Sequence, residues 1–428
     1  MKALRPVLVG GLACALTLGV SASGAMRAEP ALHGERVRRA ATPAELQPGV
    51  EAAFRAESYQ PGSVGELRFF GDAPGVQLRV FHVGPERVRT VGRNELEGVQ
   101  VAPRVRIGTV ASGHVVSVPV GAWPSGLYFA RLDSADGRVG FAPFVVAPSH
   151  LGAQRLAVVL PTYTWQAYNV RDDDGDGVGN TWYADRFSNV AVLYRPFLNR
   201  GVPYGFKTND LRFLHWLDRH GKHVDFLTDE TLDRLDASEL ARAYDLVVFP
   251  GHHEYVTTRE YDAIEGYRDR GGNLMFLSAD DFYWRVVRHG DVLERTEPWR
   301  DLGRPEAALI GVQYAANMPR FGSYVVRDTP AGRWLFAGTG LGVGSVFGNG
   351  GIEIDSVAPG SPANVEVVAS IPDVFGPGLD ADMTVYRSPA GGLVFAAGAF
   401  TLANASVYPT ASRILENLWS RMTHRRRP

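Results

Sequence analysis

The chain has 428 residues, 45% of them hydrophobic, which is enough for two globular domains. A formal net charge of -2 leaves no basic excess to neutralise phosphates, which argues against nucleic acid as the main partner. The single cysteine, Cys14, sits in an N-terminal apolar run, so a processed chain would have no disulfide, thiolate metal ligand or cysteine nucleophile.

Lys2 and Arg5 precede an apolar stretch over 7–20, too short and Gly-rich for a membrane span. Ser21-Ala22-Ser23 and Ser23-Gly24-Ala25 follow as small-residue cleavage sites. The pattern predicts a signal peptide over 1–25 and a secreted, extracellular protein. A lipoprotein attached through Cys14 is disfavoured, because Gly11-Leu12-Ala13 makes a poor lipidation box. No second membrane-spanning run appears in the sequence, and the short basic run Arg425-Arg426-Arg427 reads as a solvated terminus. After the signal, lysine occurs only at Lys207 and Lys222, which makes Schiff-base chemistry a poor reading. The chemistry must rest on Asp, Glu, His, Tyr, Ser or a metal.

Residues 26–53 are Ala-, Arg- and Pro-rich without periodicity and read as a linker. Over 54–148 the pattern changes to short alternating runs such as Glu66-Leu67-Arg68-Phe69-Phe70 and Val115-Val116-Ser117-Val118-Pro119-Val120. Gly, Pro and Asp punctuate them as in an antiparallel β-sandwich, to which no convergent chemistry attaches. Beyond Ala147-Pro148-Ser149 the rhythm becomes strand–helix–strand, defining an α/β domain over 153–425. Strands are predicted at 156–160, 224–227, 246–249 and 274–277, with helices over 209–220 and from Thr257 or Thr258 to Arg270. Later strands fall near 343–347, 383–386 and 393–396, and a last helix near 411–422. The expected class is α/β, a mostly parallel sheet of the glutamine-amidotransferase or flavodoxin-like kind, preceded by an all-β sandwich.

In such sheets ligands sit beyond the carboxyl ends of the strands. Three strand ends here lead into Tyr163-Thr164-Trp165-Gln166-Ala167-Tyr168, Gly251-His252-His253-Glu254-Tyr255 and Ser278-Ala279-Asp280-Asp281-Phe282-Tyr283. The bland alternative for the His-His-Glu run is a polar loop that caps the next helix. Asp172, Asp174 and Asp176 with Gly177 match the opening of a calcium loop, although the twelfth position is Tyr183 rather than Glu. That run is either a Ca2+ site of non-EF geometry or a solvated acidic turn. Glu353 and Asp355 alternate along a predicted strand and can share a face, in a structural or a functional role. The sequence holds no G-x-S-x-G elbow, H-E-x-x-H motif or Walker A loop.

On these residues the chain resembles the N,N-dimethylformamidase large (beta) subunit-like family. The likeness is carried by Thr164-Trp165-Gln166-Ala167-Tyr168, Thr181-Trp182-Tyr183, Trp216-Leu217, Thr228-Asp229, Gly251-His252-His253-Glu254-Tyr255 and Phe282-Tyr283-Trp284-Arg285. Trp123-Pro124-Ser125-Gly126-Leu127-Tyr128 extends it into the sandwich. The resemblance implies a mononuclear iron, Fe(III), held by Tyr168, Tyr183 and Glu254, with His252 beside it and Asp280 and Glu353 as catalytic carboxylates. Asp280 stands where the amidase has Asn, which adds negative charge and puts the substrate in doubt.

The leading expectation is a secreted metal-dependent hydrolase of a small-molecule amide C–N bond, working as a homo-oligomer or with a small partner subunit. Its rival is a non-catalytic protein that binds carbohydrate or a cell surface and carries a calcium site. The glutamine-amidotransferase-like group as a whole lacks support, because its cysteine nucleophile is missing.

Overall fold

The computed structural model describes residues 49–87, 95–175, 177, 179–182 and 190–423. The predicted signal segment and most of the predicted linker lie outside the described residues, as do Asp176 and Tyr183.

Alternating apolar residues build the first unit. Along Val64–Phe69 the side chains of Val64, Glu66 and Arg68 are exposed while Gly65, Leu67 and Phe69 are buried, the period-two signature of a one-faced strand. A three-stranded sheet (Ala52–Phe54, Val64–Phe69, Val115–Pro119) shares one apolar core with a second sheet whose longest strands are Ala73–His82, Gly126–Asp133 and Val139–Val146. Pairing begins at Ala52, inside the segment read from sequence as linker. Polar contacts cross to the rest of the chain. The Thr162 hydroxyl donates to Glu57 Oε2 at 2.7 Å, and Phe226 N–H donates to Ser125 Oγ at 2.8 Å.

The second unit is organised by a ten-stranded sheet. Asp225–Thr228, Leu156–Leu160, Leu246–Phe249, Asn273–Phe276 and Leu393–Ala396 lie side by side and parallel. Leu246–Phe249 and Asn273–Phe276 are buried at every position, as central strands covered on both faces must be. The helix Thr258–Asp269 is set by a capping box, in which Thr257 and Glu260 satisfy each other's backbone amides.

The expected flavodoxin-like class is not what forms. Past Leu393–Ala396 the sheet continues through Ala381–Arg387, Glu366–Ile371, Gln313–Val326, Val346–Ser356 and Ala399–Phe400, and these pairings are antiparallel. Among the described residues 36% are in strands and 21% in helices. The physical reason lies in the connections. A parallel neighbour needs a crossover of a dozen or more residues, usually a helix, whereas antiparallel strands close with short turns. After Arg288 the chain supplies turns such as Ser388–Gly392 between Ala381–Arg387 and Leu393–Ala396, so Glu366–Ile371, Ala381–Arg387 and Leu393–Ala396 form a meander, and Gln313–Val326 extends it antiparallel. A separate four-stranded sheet (Val190–Val192, Val292–Pro298, Trp284–His289, Tyr255–Thr257) lies against the helix Thr162–Ala167.

Candidate functional site

The parallel strands deliver their polar ends to one edge. Leu156–Leu160 turns through Pro161 into the short helix Thr162–Ala167, which Tyr168 closes with its N–H bonded to Thr164 O at 3.0 Å. Leu246–Phe249 runs into the loop carrying His252 and Glu254, and Asn273–Phe276 into the loop carrying Asp280. These two loops are zipped together. His253 N–H donates to Asp281 Oδ1 at 2.8 Å, Phe282 N–H to His253 O at 2.7 Å and Trp284 N–H to Glu254 O at 2.9 Å. The antiparallel half contributes Glu353 and Asp355 from Val346–Ser356, and Asp355 Oδ1 accepts the Asp280 N–H at 2.9 Å.

Three backbone positions in these segments are left-handed: Asp280 (φ 55°), Phe282 (φ 60°) and Ile352 (φ 67°). For a β-branched residue such as Ile352 that conformation is an outlier costing about 1–3 kcal/mol. It coincides with a register irregularity between Gly351 and Ile354 in the pairing to Ala399–Phe400. Strain of this kind is retained where the surrounding structure overdetermines it, and here it aims Glu353 at the site.

The side chains converge. Tyr168 Oη lies 2.7 Å from His252 Nε2 and donates to Glu254 Oε2 at 2.9 Å, while His252 Nε2 and Glu254 Oε2 are 3.1 Å apart. Glu353 Oε2 is 3.5 Å from His252 Nε2. One donor atom from each of His252, Asp280 and Glu353 lies within 4.8 Å of the other two. All five residues are at most 7% exposed. Asp280 Oδ1 and Glu353 Oε2 are buried without a hydrogen-bond partner among the described residues. A small pocket, lined in part by Trp165, Tyr168, Tyr204, Asp210 and His252, opens beside the cluster.

Electrostatics follow from this crowding. Burial and the charges of Glu254 and Glu353 raise the Asp280 carboxyl well above the carboxylate range. Burial, reinforced by Glu254 and Asp355 and opposed by His252, pushes Glu353 up to about 7. For His252 burial works against the charged form, but Glu353 and Glu254 outweigh it and push the imidazole up to about 9. The site therefore holds an excess of acid over base, and any cation that enters is stabilised.

One buried residue ties the two active segments together. Asp229 Oδ2 accepts Tyr163 N–H at 2.7 Å and lies 3.3 Å from the Thr162 hydroxyl, at the start of the helix that ends in Tyr168. Its Oδ1 is 3.2 Å from His253 Nε2, in the loop between His252 and Glu254. Replacing Asp229 by alanine leaves those partners unsatisfied in a fully buried place, so Asp229→Ala is expected to lose on the order of 3 kcal/mol of stability. Thermal unfolding checks this, and a midpoint unchanged from wild type would remove Asp229 from that role.

The structure thus brings together Tyr168, His252, Glu254, Asp280 and Glu353, while Tyr183 lies outside the described residues. The acidic loop is separate in character. Asp172 accepts the N–H groups of Gly175 and Gly177 at 2.8 and 2.9 Å, Asp174 Oδ2 accepts from Asn180 Nδ2 at 3.3 Å, and Asp173 pairs with Arg171 and buried Arg195. Sequence reasoning missed the bracing by Asp229 and the enclosed Asp210. Position after a strand was a signal for Asp229, which follows Asp225–Thr228. Asp210 opens a helix with its carboxyl turned inward, which no local pattern reveals.

Comparison with known proteins places the chain. It is 34% identical over 117 residues to the N,N-dimethylformamidase beta subunit of Alcaligenes sp, and 32% identical over 117 residues to that of Paracoccus aminophilus. Each match covers 27% of this chain and 15% of the relative, so the chain accounts for a small part of those proteins. Among solved structures, a thua-like protein from Parabacteroides merdae aligns over 51% of this chain and 85% of its own, with 12% identity and a TM-score of 0.30, too low to establish a common fold. The family model described as N,N-dimethylformamidase beta subunit-like, C-terminal, matches residues 111–405, from the last strands of the sandwich through the site-bearing sheet. The chain belongs to the N,N-dimethylformamidase beta subunit-like family.

Proposed function

We propose that this protein is an exported, metal-dependent hydrolase of an amide C–N bond, with iron held by Tyr168 and Glu254 and, on the family resemblance, Tyr183. The observation that carries the reading is the buried contact of Tyr168 Oη with Glu254 Oε2 at 2.9 Å, with His252 Nε2 against both. Phenolate and carboxylate are hard anionic donors that suit a ferric ion, and the unpartnered buried oxygens of Asp280 and Glu353 leave negative potential beside it. Bound there, the ion would supply Lewis acidity toward an amide carbonyl and a water molecule.

The chain's own residues supply the proton transfers. Hydrolysis needs a proton taken from the attacking water and one given to the departing nitrogen. Glu353 Oε2 is placed to accept the first. His252, whose Nε2 lies between Glu254 and Glu353 and whose charged form those carboxylates favour, is placed to give the second. Burial of the cluster keeps bulk water from competing for these protons. Asp280 adds a carboxyl beside His252 and Glu353, where the resemblance implies Asn, which supports a substrate other than that named for the relatives. The relatives are named as beta subunits, which supports a partner subunit for this chain as well. Among the described residues no helix is long and apolar enough to cross a membrane.

The test is elemental analysis with a visible spectrum on freshly purified protein, followed by a screen of small amides. About one iron per chain with a broad tyrosinate-to-iron band, and release of amine from at least one amide, is the expected result. Protein that takes up no transition metal and cleaves no amide would overturn the reading.

A further inference from the structure

We propose that His252, Asp280 and Glu353 form a second cation position, which takes a divalent ion such as Zn2+ and inhibits hydrolysis when filled. The inhibitory effect rests on the hydrolase reading above; the binding does not.

The geometry is ion-sized. The three donor atoms lie within 4.8 Å of one another, and His252 Nε2 is 3.5 Å from Glu353 Oε2. Two ligands about 2.1 Å from a zinc ion at a tetrahedral angle stand roughly 3.4 Å apart. His252 is also oriented for the task. Its Nδ1 faces the Ala279 carbonyl at 3.1 Å, and an N–H donated there leaves Nε2 as the nitrogen that an entering cation can take in exchange for its proton. Asp280 Oδ1 and Glu353 Oε2 are buried and make no hydrogen bond among the described residues, on residues 5% and 7% exposed.

Charge points the same way. A ferric ion bound by two phenolates and one carboxylate would be balanced, which leaves Asp280 and Glu353 with His252 as the one basic side chain facing both. Two buried carboxyls that share one imidazole either take up a proton or recruit a cation. One imidazole nitrogen and two carboxylate oxygens are a donor set zinc accepts readily, whereas magnesium prefers oxygen alone. A zinc ion there would hold Glu353 as a ligand and occupy the His252 lone pair, so neither could move a proton. Excess zinc would thus stop turnover without displacing iron.

The experiment titrates Zn2+ into the full-length, iron-loaded protein. It follows bound zinc by elemental analysis after gel filtration, iron through the visible band, and amide turnover. One zinc per chain is expected, with the visible band retained and turnover falling at least tenfold, then recovering on mild chelation. Glu353→Gln and Asp280→Asn should each weaken zinc binding at least tenfold, with circular dichroism confirming that the variants are folded. Absence of zinc uptake by the wild type, uptake that both folded variants match, or uptake that bleaches the visible band in step would each overturn the proposal. If no iron band forms at all, yet zinc binds and both variants lose it, the second position stands and the iron reading falls.

Discussion

Replacing Glu254 by glutamine is expected to strip the protein of iron and visible colour and to lower amide turnover by at least about 100-fold. Glutamine matches glutamate in size and keeps an acceptor oxygen, so contacts with Tyr168 Oη and His252 Nε2 at 2.9 and 3.1 Å can persist. What it removes is the charge, and a hard cation depends on anionic donors. Misfolding and ligand loss predict opposite signs for stability. Glu254 adds to the repulsion on Asp280 and Glu353, so removing its charge should leave the metal-free variant at least as stable as the metal-free wild type. Elemental analysis, a visible spectrum and a melting curve on one preparation decide the matter. Full retention of iron by Glu254→Gln would take Glu254 out of the ligand set.

How much of this was legible in the sequence depends on whether the signal was local. The continuous apolar runs at 156–160 and 246–249 announced buried strands, and both form where periodicity placed them. Their carboxyl ends carry Tyr168, His252 and Glu254, so the strand ends alone mark the centre of the cluster in the sequence. The class failed because sheet direction is set by connections. Up to Leu277 each strand is followed by a helix pattern, and extrapolating that rhythm predicted a parallel sheet throughout. The chain instead adds hairpins, and Glu353 arrives on the antiparallel half. That Glu353 belongs with His252 was suggested by resemblance alone, because residues 101 positions apart share no local pattern. The left-handed turn at Ile352 was illegible for the opposite reason: nothing about an isoleucine announces a positive φ. Bracing by Asp229 belongs to the same class of hidden feature, since its partners come from two other strand ends.

Glu353→Gln is expected to separate metal binding from proton transfer. The variant should keep the iron and its visible band yet lose about 10²–10⁴ in kcat/KM, the range for removing a positioned base. The sharper reading is the pH profile. A base works only when ionised, so turnover by the wild type must fall tenfold per pH unit below the value at which Glu353 takes up a proton. In the metal-free chain burial raises that value to about 7, and a cation beside it lowers it again. The acid limb of kcat/KM should therefore lie below about 7 and above the range of an ordinary exposed glutamate. With glutamine in place that limb has no titrating group behind it, and the residual rate should be flat across the same window. A merely structural role for Glu353 would lower the rate and leave the limb where it was. A folded, iron-bearing Glu353→Gln that keeps the wild-type acid limb would transfer the role of base to another group in the cluster, with Asp355 next in line because burial raises its carboxyl to about 7 as well.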